Sequence, residues 1–267
     1  MRNRQSKHIF VILAILAVTI LFINALLASE DKVLRIGITP NYPPIVFKYD
    51  GDYAGLDIEL AKMLAKELDL EFVFVELPWD SQIQSLIDKK IDIIMSGMSI
   101  VDSRKLKIGF TEPYLRTWQM ALIRNNDLDK YNDMESIRSI EIKIGVEKGT
   151  TGEDMAAREF PLASIMPYID KEQAMDDLIK GDIDIYIHDA LEIWWLFGEY
   201  EEKGLRPSAA IFDEEYLGWG VRKEDKELLE SINNILRSWK ESKRLDARIK
   251  FWVPYVELYG GEGERLY

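Results

Sequence analysis

Residues 91–104 read IDIIMSGMSIVDSR, a buried-strand pattern followed by a polar loop. The apolar, β-branched first half predicts a strand that stops at Ser96 and Gly97. In α/β sheets, ligands bind where strands end. Gly97 lets the backbone approach a bound molecule, Ser99 offers a hydroxyl group, and Arg104 carries a planar set of donors that fits a carboxylate. The stretch predicts an anion-binding loop; the alternative is a surface loop whose arginine is solvated.

Two internal sequence repeats indicate that the chain contains two similar α/β units. The repeated segments are residues 86–97 (LIDKKIDIIMSG) with 178–189 (LIKGDIDIYIHD) and residues 35–38 (RIGI) with 143–146 (KIGV). The longer repeat aligns Gly97 with Asp189. If the two strand ends face each other, one unit presents the cation of Arg104 and the other the anion of Asp189. Opposite charges on the two walls of a cleft match the zwitterion of an α-amino acid.

The first unit has the order strand, helix, strand, helix, strand. Its predicted elements are a strand at 33–38, a helix over 56–68, a strand at 71–77, a helix from 80 or 81 to 87, and the strand at 91–95. Parallel strands in this order need right-handed crossovers, with helices covering the sheet. We therefore expect an α/β fold in which each lobe is a mostly parallel sheet flanked by helices.

The second unit contains a glycine- and threonine-rich helix start. Strands are expected at 119–123 and 142–146, before Gly149-Thr150-Thr151-Gly152 opens a helix. Free N–H groups at a helix start can seat an anion, although most threonine-rich starts only cap the helix. Both interpretations stay open from the sequence.

We expect the chain to cross between two lobes twice. The predicted crossings lie near 115–118 and 213–217, which gives a first lobe of residues 33–115 plus 217–256 and a second lobe of residues 116–216. Two crossings form a hinge, so the cleft between the lobes is expected to open and close.

Residues 1–28 are predicted to be a signal peptide or an N-terminal membrane anchor. Three basic residues precede a mostly apolar run over residues 9–28. This order favours a cytoplasmic N-terminus, so the rest of the chain is expected outside the cytoplasm, in the periplasm or at the outer face of the cytoplasmic membrane. Leu26 occupies a position that should be small for cleavage after Ala28, so cleavage and retention both stay open.

The composition argues against several classes of function. The chain has 34 Lys and Arg against 47 Asp and Glu, a net charge of −13. A nucleic-acid partner would need a basic face, so we expect none. With no cysteine and only two histidines, the chain offers neither a Cys–His nucleophile nor a histidine-rich zinc site. We expect no cofactor, no metal and no catalytic residue.

A series of motifs resembles the family 3 extracellular solute-binding proteins, the substrate-binding components of amino-acid ABC transporters. In order, they are Tyr42-Pro43-Pro44, GLDIELA at 55–61, Trp79-Asp80-Ser81, GMSIVDSR at 97–104, FTEPY at 110–114, GTTG at 149–152, and DID at 182–184 leading to His188-Asp189. The resemblance implies a two-lobed periplasmic-binding-protein fold (type II) joined by two hinge strands. It further implies an amino acid ligand and a membrane permease as partners, and we expect a monomer.

The resemblance also implies a ligand-binding set. It consists of Tyr42, Trp79, Gly97, Met98, Ser99, Arg104, Thr150, Thr151 and Asp189. Arg104 matches the arginine that binds the ligand carboxylate, with help from Ser99, Thr151 and the backbone of Gly97. Asp189 matches the acid that takes the ammonium group. Tyr42 and Trp79 match aromatic positions that sandwich the ligand side chain, with ordinary core packing as the alternative.

Some positions depart from the family pattern. Thr39 stands where many relatives that bind polar or cationic side chains have Asp, so we expect a neutral or aromatic amino acid. The other departures are Ile45, Val101 and the closing segment 251–255. His188 either touches the ligand or packs in the core, because strand alternation turns it away from Asp189.

Two other functions remain possible from the sequence. One is an enzyme resembling cyclohexadienyl (prephenate or arogenate) dehydratases, for which Glu147, Glu153 or Asp189 could be the cleft acid, although Glu153 also fits a helix start. The other is a ligand-sensing ectodomain that keeps the leader as its anchor.

Overall fold

The structure is a computed structural model that describes residues 33–254 and 266–267. The predicted leader at residues 1–28 lies outside the described residues, and so does the end of the first lobe's predicted range. Within the part of the chain that is described, no helix is both long and apolar enough to cross a bilayer.

The strands and helices alternate through most of the chain. The strands are β1 (Leu34–Ile38), β2 (Asn41–Tyr42), β3 (Val46–Tyr49), β4 (Asp52–Ala54), β5 (Phe72–Glu76), β6 (Ile93–Ile94), β7 (Gly109–Phe110), β8 (Leu115–Arg124), β9 (Lys143–Glu147), β10 (Ser164–Tyr168), β11 (Ile185–Asp189), β12 (Leu205–Leu217) and β13 (Gly220–Val221). The α-helices are α1 (Leu56–Glu67), α2 (Gln82–Ile87), α3 (Asp102–Lys105), α4 (Met134–Arg138), α5 (Thr151–Glu159), α6 (Lys171–Lys180), α7 (Ala190–Tyr200), α8 (Lys226–Glu241) and α9 (Arg244–Trp252).

Two five-stranded sheets form the centres of two lobes. Their strand orders are β5-β1-β6-β13-β7 and β10-β9-β11-β8-β12, and β2, β3 and β4 form a small separate sheet. In each large sheet one strand, β13 or β8, runs antiparallel to both of its neighbours, and the other strands share one direction. The predicted α/β class with mostly parallel sheets is confirmed.

The sequence repeats correspond to a repeated contact in the two sheets. In the first sheet, the Arg35 N–H donates to Asp92 Oδ2 at 3.0 Å, next to the pairing of β1 with β6. In the second, the Lys143 N–H donates to Asp184 Oδ2 at 2.8 Å, next to the pairing of β9 with β11. The aspartate of each Ile-Asp-Ile motif thus ties the third strand to the first strand of its unit.

The chain passes between the sheets along two strands that pair with each other. β8 follows the first sheet's β7 but lies in the second sheet, next to β12, and the chain then returns to β13. Leu115 pairs with Leu217 where these two long strands meet the first lobe. The predicted lobe limits coincide with these strand ends and stay a prediction.

Each lobe has its own hydrophobic core, and Leu191 of the second lobe packs against the core of the first. In the first, α1 buries Leu60 and Leu64 together with Ile36 of β1. In the second, the side chains of β11 alternate between the two faces of the sheet. Ile185 packs in the hydrophobic cluster on one face and Tyr186 in the cluster on the other. Because both sheets are held rigidly by packed cores, the loops at their strand ends have well-defined positions.

Candidate functional site

The site lies between the lobes, where β1 and β6 of one sheet and β9 and β11 of the other end. Its lining residues are Thr39, Asn41, Tyr42, Trp79, Ser96, Gly97, Ser99, Arg104, Gln119, Glu147, Thr150, Thr151, His188 and Asp189. Of the predicted binding set, every residue except Met98 lines this cleft. Met98 has its side chain in an apolar cluster with Leu86 and Ile108, so its side-chain packing gives no support to the predicted ligand contact.

Gly97 begins the loop after β6, and its backbone position requires glycine. Its φ of +64° lies in the left-handed region, and a Cβ would meet the Tyr42 ring at 2.5 Å. Its N–H donates to Asp57 Oδ2 at 2.8 Å, and Asp57 Oδ1 accepts from Trp219 Nε1 at 3.1 Å. Burial raises the pKa of Asp57 to about 6, despite these hydrogen bonds. A buried carboxyl group thus anchors the binding loop from behind.

Arg104 lies on α3, and its guanidinium group faces the cleft. The group lies 5.2 Å from the centre of the Trp79 ring, and it donates to the backbone oxygens of Ser99 at 3.2 Å and Gly149 at 3.4 Å. Burial lowers its pKa, against the opposing charges of Glu215 and Asp189. No carboxylate among the described residues forms an ion pair with it. Arg104 is therefore a partly desolvated cation, and its role in binding an anion stays a prediction.

Asp189 stands at the end of β11, on the opposite lobe from Arg104. It occupies the N-cap position of α7, but its side chain makes no capping hydrogen bond. Instead it accepts from the Tyr42 hydroxyl of the other lobe and from Gln119 Nε2. Burial, followed by the charge of Glu215, raises its pKa to about 7, while His188 acts in the opposite direction. The carboxyl group therefore hydrogen-bonds to groups of the cleft rather than to the helix, and its role in binding an ammonium group stays a prediction.

The hydroxyl groups of the predicted set are already hydrogen-bonded within the protein. Thr150 donates to the Glu147 carbonyl oxygen at 2.7 Å and caps α5 by accepting from the Glu153 N–H at 3.4 Å. Thr151 Oγ1 donates to Glu215 Oε2 at 2.9 Å, and the Ser99 hydroxyl donates to the same oxygen. Thr150 thus has the capping role, and Thr151 and Ser99 share one buried carboxylate.

His188 is both buried and part of the cleft wall. Its ring lies 5.3 Å from the Tyr42 ring, and its Nε2 lies 3.1 Å from Glu147 Oε2. Burial lowers the pKa of His188, but the charges of Glu192, Glu147 and Asp189 outweigh it and raise the pKa to about 9. The Asp189 N–H points at Nδ1 at 2.8 Å, so protonation of this nitrogen requires the ring to give up that contact.

Glu147 and Glu192 lie next to His188, and the three residues form a cluster of ionisable side chains. The ligand atoms of these three residues lie within 4.8 Å of one another, a spacing that could hold a metal ion. However, the Lys171 ammonium group forms an ion pair with Glu192, so a protein cation already compensates part of the charge. Burial opposes ionisation of Glu147, but His188, Lys171 and Asn41 lower its pKa to about 2. The expectation of no metal stays a prediction.

Several hydrogen bonds join the two walls of the cleft. Trp79 Nε1 donates to the Gly149 carbonyl oxygen at 2.9 Å, and Asn41 Nδ2 donates to Glu147 Oε1 at 3.0 Å. Lys171 Nζ also donates to the carbonyl oxygen of Asn41. These contacts, with that of Tyr42, hold the described lobes together in a closed arrangement.

Sequence reasoning missed Gln119 and Glu215 and gave Glu147 only a role in the alternative enzyme. Gln119 begins a predicted strand, and Glu215 belongs to the acidic run 213–215 that resembles a solvated loop. Both residues enter the site because β8 and β12 pair beneath it. Gln119, a polar residue at the start of an apolar strand, is the one local sign in the sequence that this strand reaches the site.

Two α/β lobes with a cation and an anion facing each other across a hinged cleft define a ligand-binding protein. The chain belongs to the bacterial extracellular solute-binding proteins, family 3, whose family model matches residues 34–255. The family is extracytoplasmic, and the predicted family, fold and location outside the cytoplasm agree with this match.

Relatives across nearly the whole chain support this assignment. The histidine-binding periplasmic protein of Salmonella typhimurium is 31% identical over 253 residues, 89% of this chain and 94% of that protein. The ABC transporter arginine-binding protein 1 of Escherichia coli K12 is 29% identical over 238 residues, 85% and 93% of the two chains. A similar crystal structure is that of AncCDT-1, an ancestral amino acid-binding protein and a precursor of cyclohexadienyl dehydratase. Its sequence is 34% identical, and the superposition has a TM-score of 0.76 and covers 82% of this chain and 95% of the AncCDT-1 chain.

Proposed function

We propose that the protein binds an α-amino acid between its lobes and delivers it to an ABC-type uptake transporter. The observation that carries this proposal is the pair formed by Arg104 on one wall and Asp189 on the other. Arg104 would bind the ligand carboxylate, and Asp189 would bind the ammonium group. Tyr42 and Trp79 supply aromatic faces beside them. The pair complements an unreacted zwitterion, which favours binding over catalysis.

The proposal differs from the sequence-based expectation in the charge of the ligand side chain. The expectation of a neutral or aromatic ligand follows from the apolar faces of Tyr42 and Trp79 and from the uncharged Thr39, whose hydroxyl donates to the Leu77 carbonyl oxygen. Glu147 lines both the cleft and the adjoining groove, and it stays ionised because His188 and Lys171, which offset part of its charge, lower its pKa. We propose a cationic side chain, as for the relatives that are named for binding arginine and histidine.

A calorimetric panel tests both parts of this proposal. We expect L-arginine, L-lysine or L-histidine to bind more tightly than L-phenylalanine, L-leucine or L-glutamine. Glu147→Gln should weaken the cationic ligands about tenfold and leave the neutral ones nearly unchanged. Glu230→Gln, at an exposed position, is the control. A neutral ligand that binds best would restore the sequence-based expectation, and no binding of any amino acid would overturn the proposed function.

We further propose that the protein acts as a monomer with a permease of the cytoplasmic membrane. The leader, residues 1–28, would direct export and then be cleaved or kept as an anchor, which the intact mass of the exported protein distinguishes. The lobes would extend over residues 33–115 plus 217–256 and over residues 116–216, with β8 and β12 as the hinge. Sedimentation of the purified protein at several concentrations checks the monomer.

A further inference from the structure

Asp57 is a buried acidic residue of the first lobe that does not itself line the cleft. It is the second residue of α1, and its side chain is 0% exposed. Its Oδ2 accepts from the Gly97 N–H at 2.8 Å, and its Oδ1 accepts from Trp219 Nε1 at 3.1 Å. Burial of a carboxyl group is costly without hydrogen-bond partners, so these two donors are what retains it there.

The two donors belong to segments that are distant in sequence but meet where the lobes are joined. Gly97 begins the loop that leads to Arg104 on α3, and Trp219 follows β12, the second crossing strand. Backbone hydrogen bonds of 2.8 and 3.0 Å, on either side of an antiparallel bridge, pair residues 98–100 with residues 216–218. The loop is therefore attached along its backbone to the end of a crossing strand.

Asp57 bonds to both segments at one end of this pairing. In an antiparallel pair, the residue before one segment lies beside the residue after the other, so Gly97 and Trp219 are neighbours and one carboxyl group reaches both. Tyr114, which directly precedes the first crossing strand, packs at the same place with its ring 5.2 Å from the Trp219 ring. Burial, followed by the charge of Asp57, raises the pKa of Tyr114. One carboxyl group thus lies where the loop and both crossings meet.

We infer that Asp57 is a positioning residue for the bound amino acid, because its two oxygens fix the loop that carries Arg104 to the end of β12. The loop and this end of the hinge then move as one body, and the loop is ordered before a ligand arrives. Without this link, part of the binding free energy would be used to order the loop. The inference rests on the proposed amino-acid binding and extends it to a group that touches no ligand.

Asp57→Asn tests the inference because only a carboxylate offers an acceptor to each donor. Asparagine has the same shape but one oxygen and one amino group. In either orientation its amino group faces the N–H of Gly97 or that of Trp219, so one of the two segments is released. At pH 8 and below the unfolding temperature, we expect the variant to bind L-arginine roughly tenfold more weakly than the wild type.

Trp219→Phe removes the second donor and completes a double-mutant cycle. It breaks the same link from the other side, so it should weaken L-arginine binding by a similar factor. The double variant should then bind about as well as either single variant, because the link can be lost only once. A roughly hundredfold loss in the double variant, which is the product of two independent effects, would overturn the inference.

Glu59→Gln is the matched control on the same helix. The Glu59 carboxylate also accepts from a tryptophan, Trp252 Nε1 at 2.7 Å, and from Arg248 at 2.6 Å, but it has no bond to the loop. We expect this control to bind L-arginine normally. A merely structural role for Asp57 would lower the unfolding temperature and leave the affinity of the folded protein unchanged, and that result would also overturn the inference.

Hydrogen exchange in the ligand-free protein separates this test from the proposed function. The amides of residues 97, 100 and 218 should exchange roughly tenfold faster in Asp57→Asn than in the wild type or in Glu59→Gln, while those of β1 stay protected. Equal acceleration throughout the first lobe would mean that Asp57 supports stability alone. Failure of the proposed function would instead appear as a wild type that binds no amino acid.

If Asp57→Asn does not fold, the wild type still decides. The amide proton of Gly97 and the indole proton of Trp219 should follow one titration with a midpoint near the Asp57 pKa of about 6. Tyr114 is the ionisable side chain that faces this carboxyl group, and its pKa lies well above its ordinary value, so it does not titrate in this range. Two different midpoints would show that the two donors do not share one carboxyl group.

Discussion

Arg104 is the single residue from which we expect the largest effect on binding. Within the described part of the chain, its guanidinium donors bond to the backbone oxygens of Ser99 and Gly149, and its positive charge faces the cleft. Arg104→Ala should cost about 2 to 5 kcal/mol of binding free energy, because the ligand carboxylate would lose its charged partner in a partly desolvated site. Arg104→Lys should recover only part of this, since an ammonium group cannot form two parallel hydrogen bonds.

Isothermal titration calorimetry measures both changes. Arg244→Lys is the matched control because Arg244 forms an exposed ion pair with Glu67 at 2.8 Å, away from the cleft. We expect this control to bind the amino acid normally. Normal binding by Arg104→Ala as well would end the model of Arg104 and Asp189 as a clamp.

Asp189 should make the affinity for the amino acid depend on pH. Its pKa of about 7 in the free protein falls when an ammonium group binds, so the ionised form binds better. Affinity should therefore be high at pH 8 and fall as the pH drops through 7, about tenfold between pH 8 and pH 6. His188 and Glu147, with pKa values of about 9 and 2, do not titrate between these limits.

Calorimetry in buffers of different ionisation enthalpy checks this dependence through the proton released on binding. Asp57, with a pKa of about 6, titrates in the same range, so Asp189→Asn is needed to isolate the effect. In that variant, affinity should be lower throughout, and the proton release assigned to Asp189 should vanish. A wild-type affinity that rises as the pH falls would contradict the assignment.

At the scale of elements, the loop after β6 places its backbone at the Tyr42 ring. Gly97→Ala should weaken amino-acid binding at least tenfold, because the residue has a φ of +64° and its Cβ would displace Tyr42. Gly198→Ala, in the interior of α7 with no atom near its Cβ, should leave binding unchanged and stabilise the protein by up to about 1 kcal/mol. Thermal unfolding and calorimetry distinguish the two. Equal binding by both variants would show that the loop tolerates a side chain.

The elements that the sequence predicted well are those in which local pattern and tertiary environment agree. The helix expected at 56–68 is α1, Leu56–Glu67, and the strand expected at 71–77 is β5, Phe72–Glu76. The strand expected at 91–95 pairs with β13 only over Ile93–Ile94, while the Asp92 and Met95 N–H groups still donate to carbonyl oxygens of β1. A local pattern predicts burial, but the length of a strand depends on the partner it pairs with.

The site could be predicted only in part, for a related reason. Arg104 and Asp189 stand at strand ends inside recognisable motifs, so their chemistry is visible along the chain. Gln119 and Glu215 lie 96 residues apart, and only the pairing of β8 with β12 brings them together. An acidic run such as residues 213–215 gives no local sign that one of its members is buried. Non-local pairing of this kind carries no short-range pattern.

At the scale of the whole molecule, closure depends on hydrogen bonds that cross the cleft beside the ligand. Trp79 Nε1 donates across it to Gly149 at 2.9 Å, and Asn41 donates to Glu147. These bonds exist only when the lobes are together, so each one shifts the balance between open and closed forms. Ligand contacts with Arg104 on one lobe and Asp189 on the other act on the same balance.

Trp79→Phe should therefore weaken closure while leaving an aromatic face for Arg104. Loss of one hydrogen bond worth about 1 kcal/mol shifts the ratio of closed to open forms roughly fivefold and lowers the apparent affinity by up to that factor. Small-angle scattering should give a larger radius of gyration for the ligand-free variant, and saturating ligand should restore the closed form. Trp252→Phe is the control, because its Nε1 bonds Glu59 within one lobe at 2.7 Å. Equal scattering by the two ligand-free variants would mean that the bond to Gly149 does not contribute to closure.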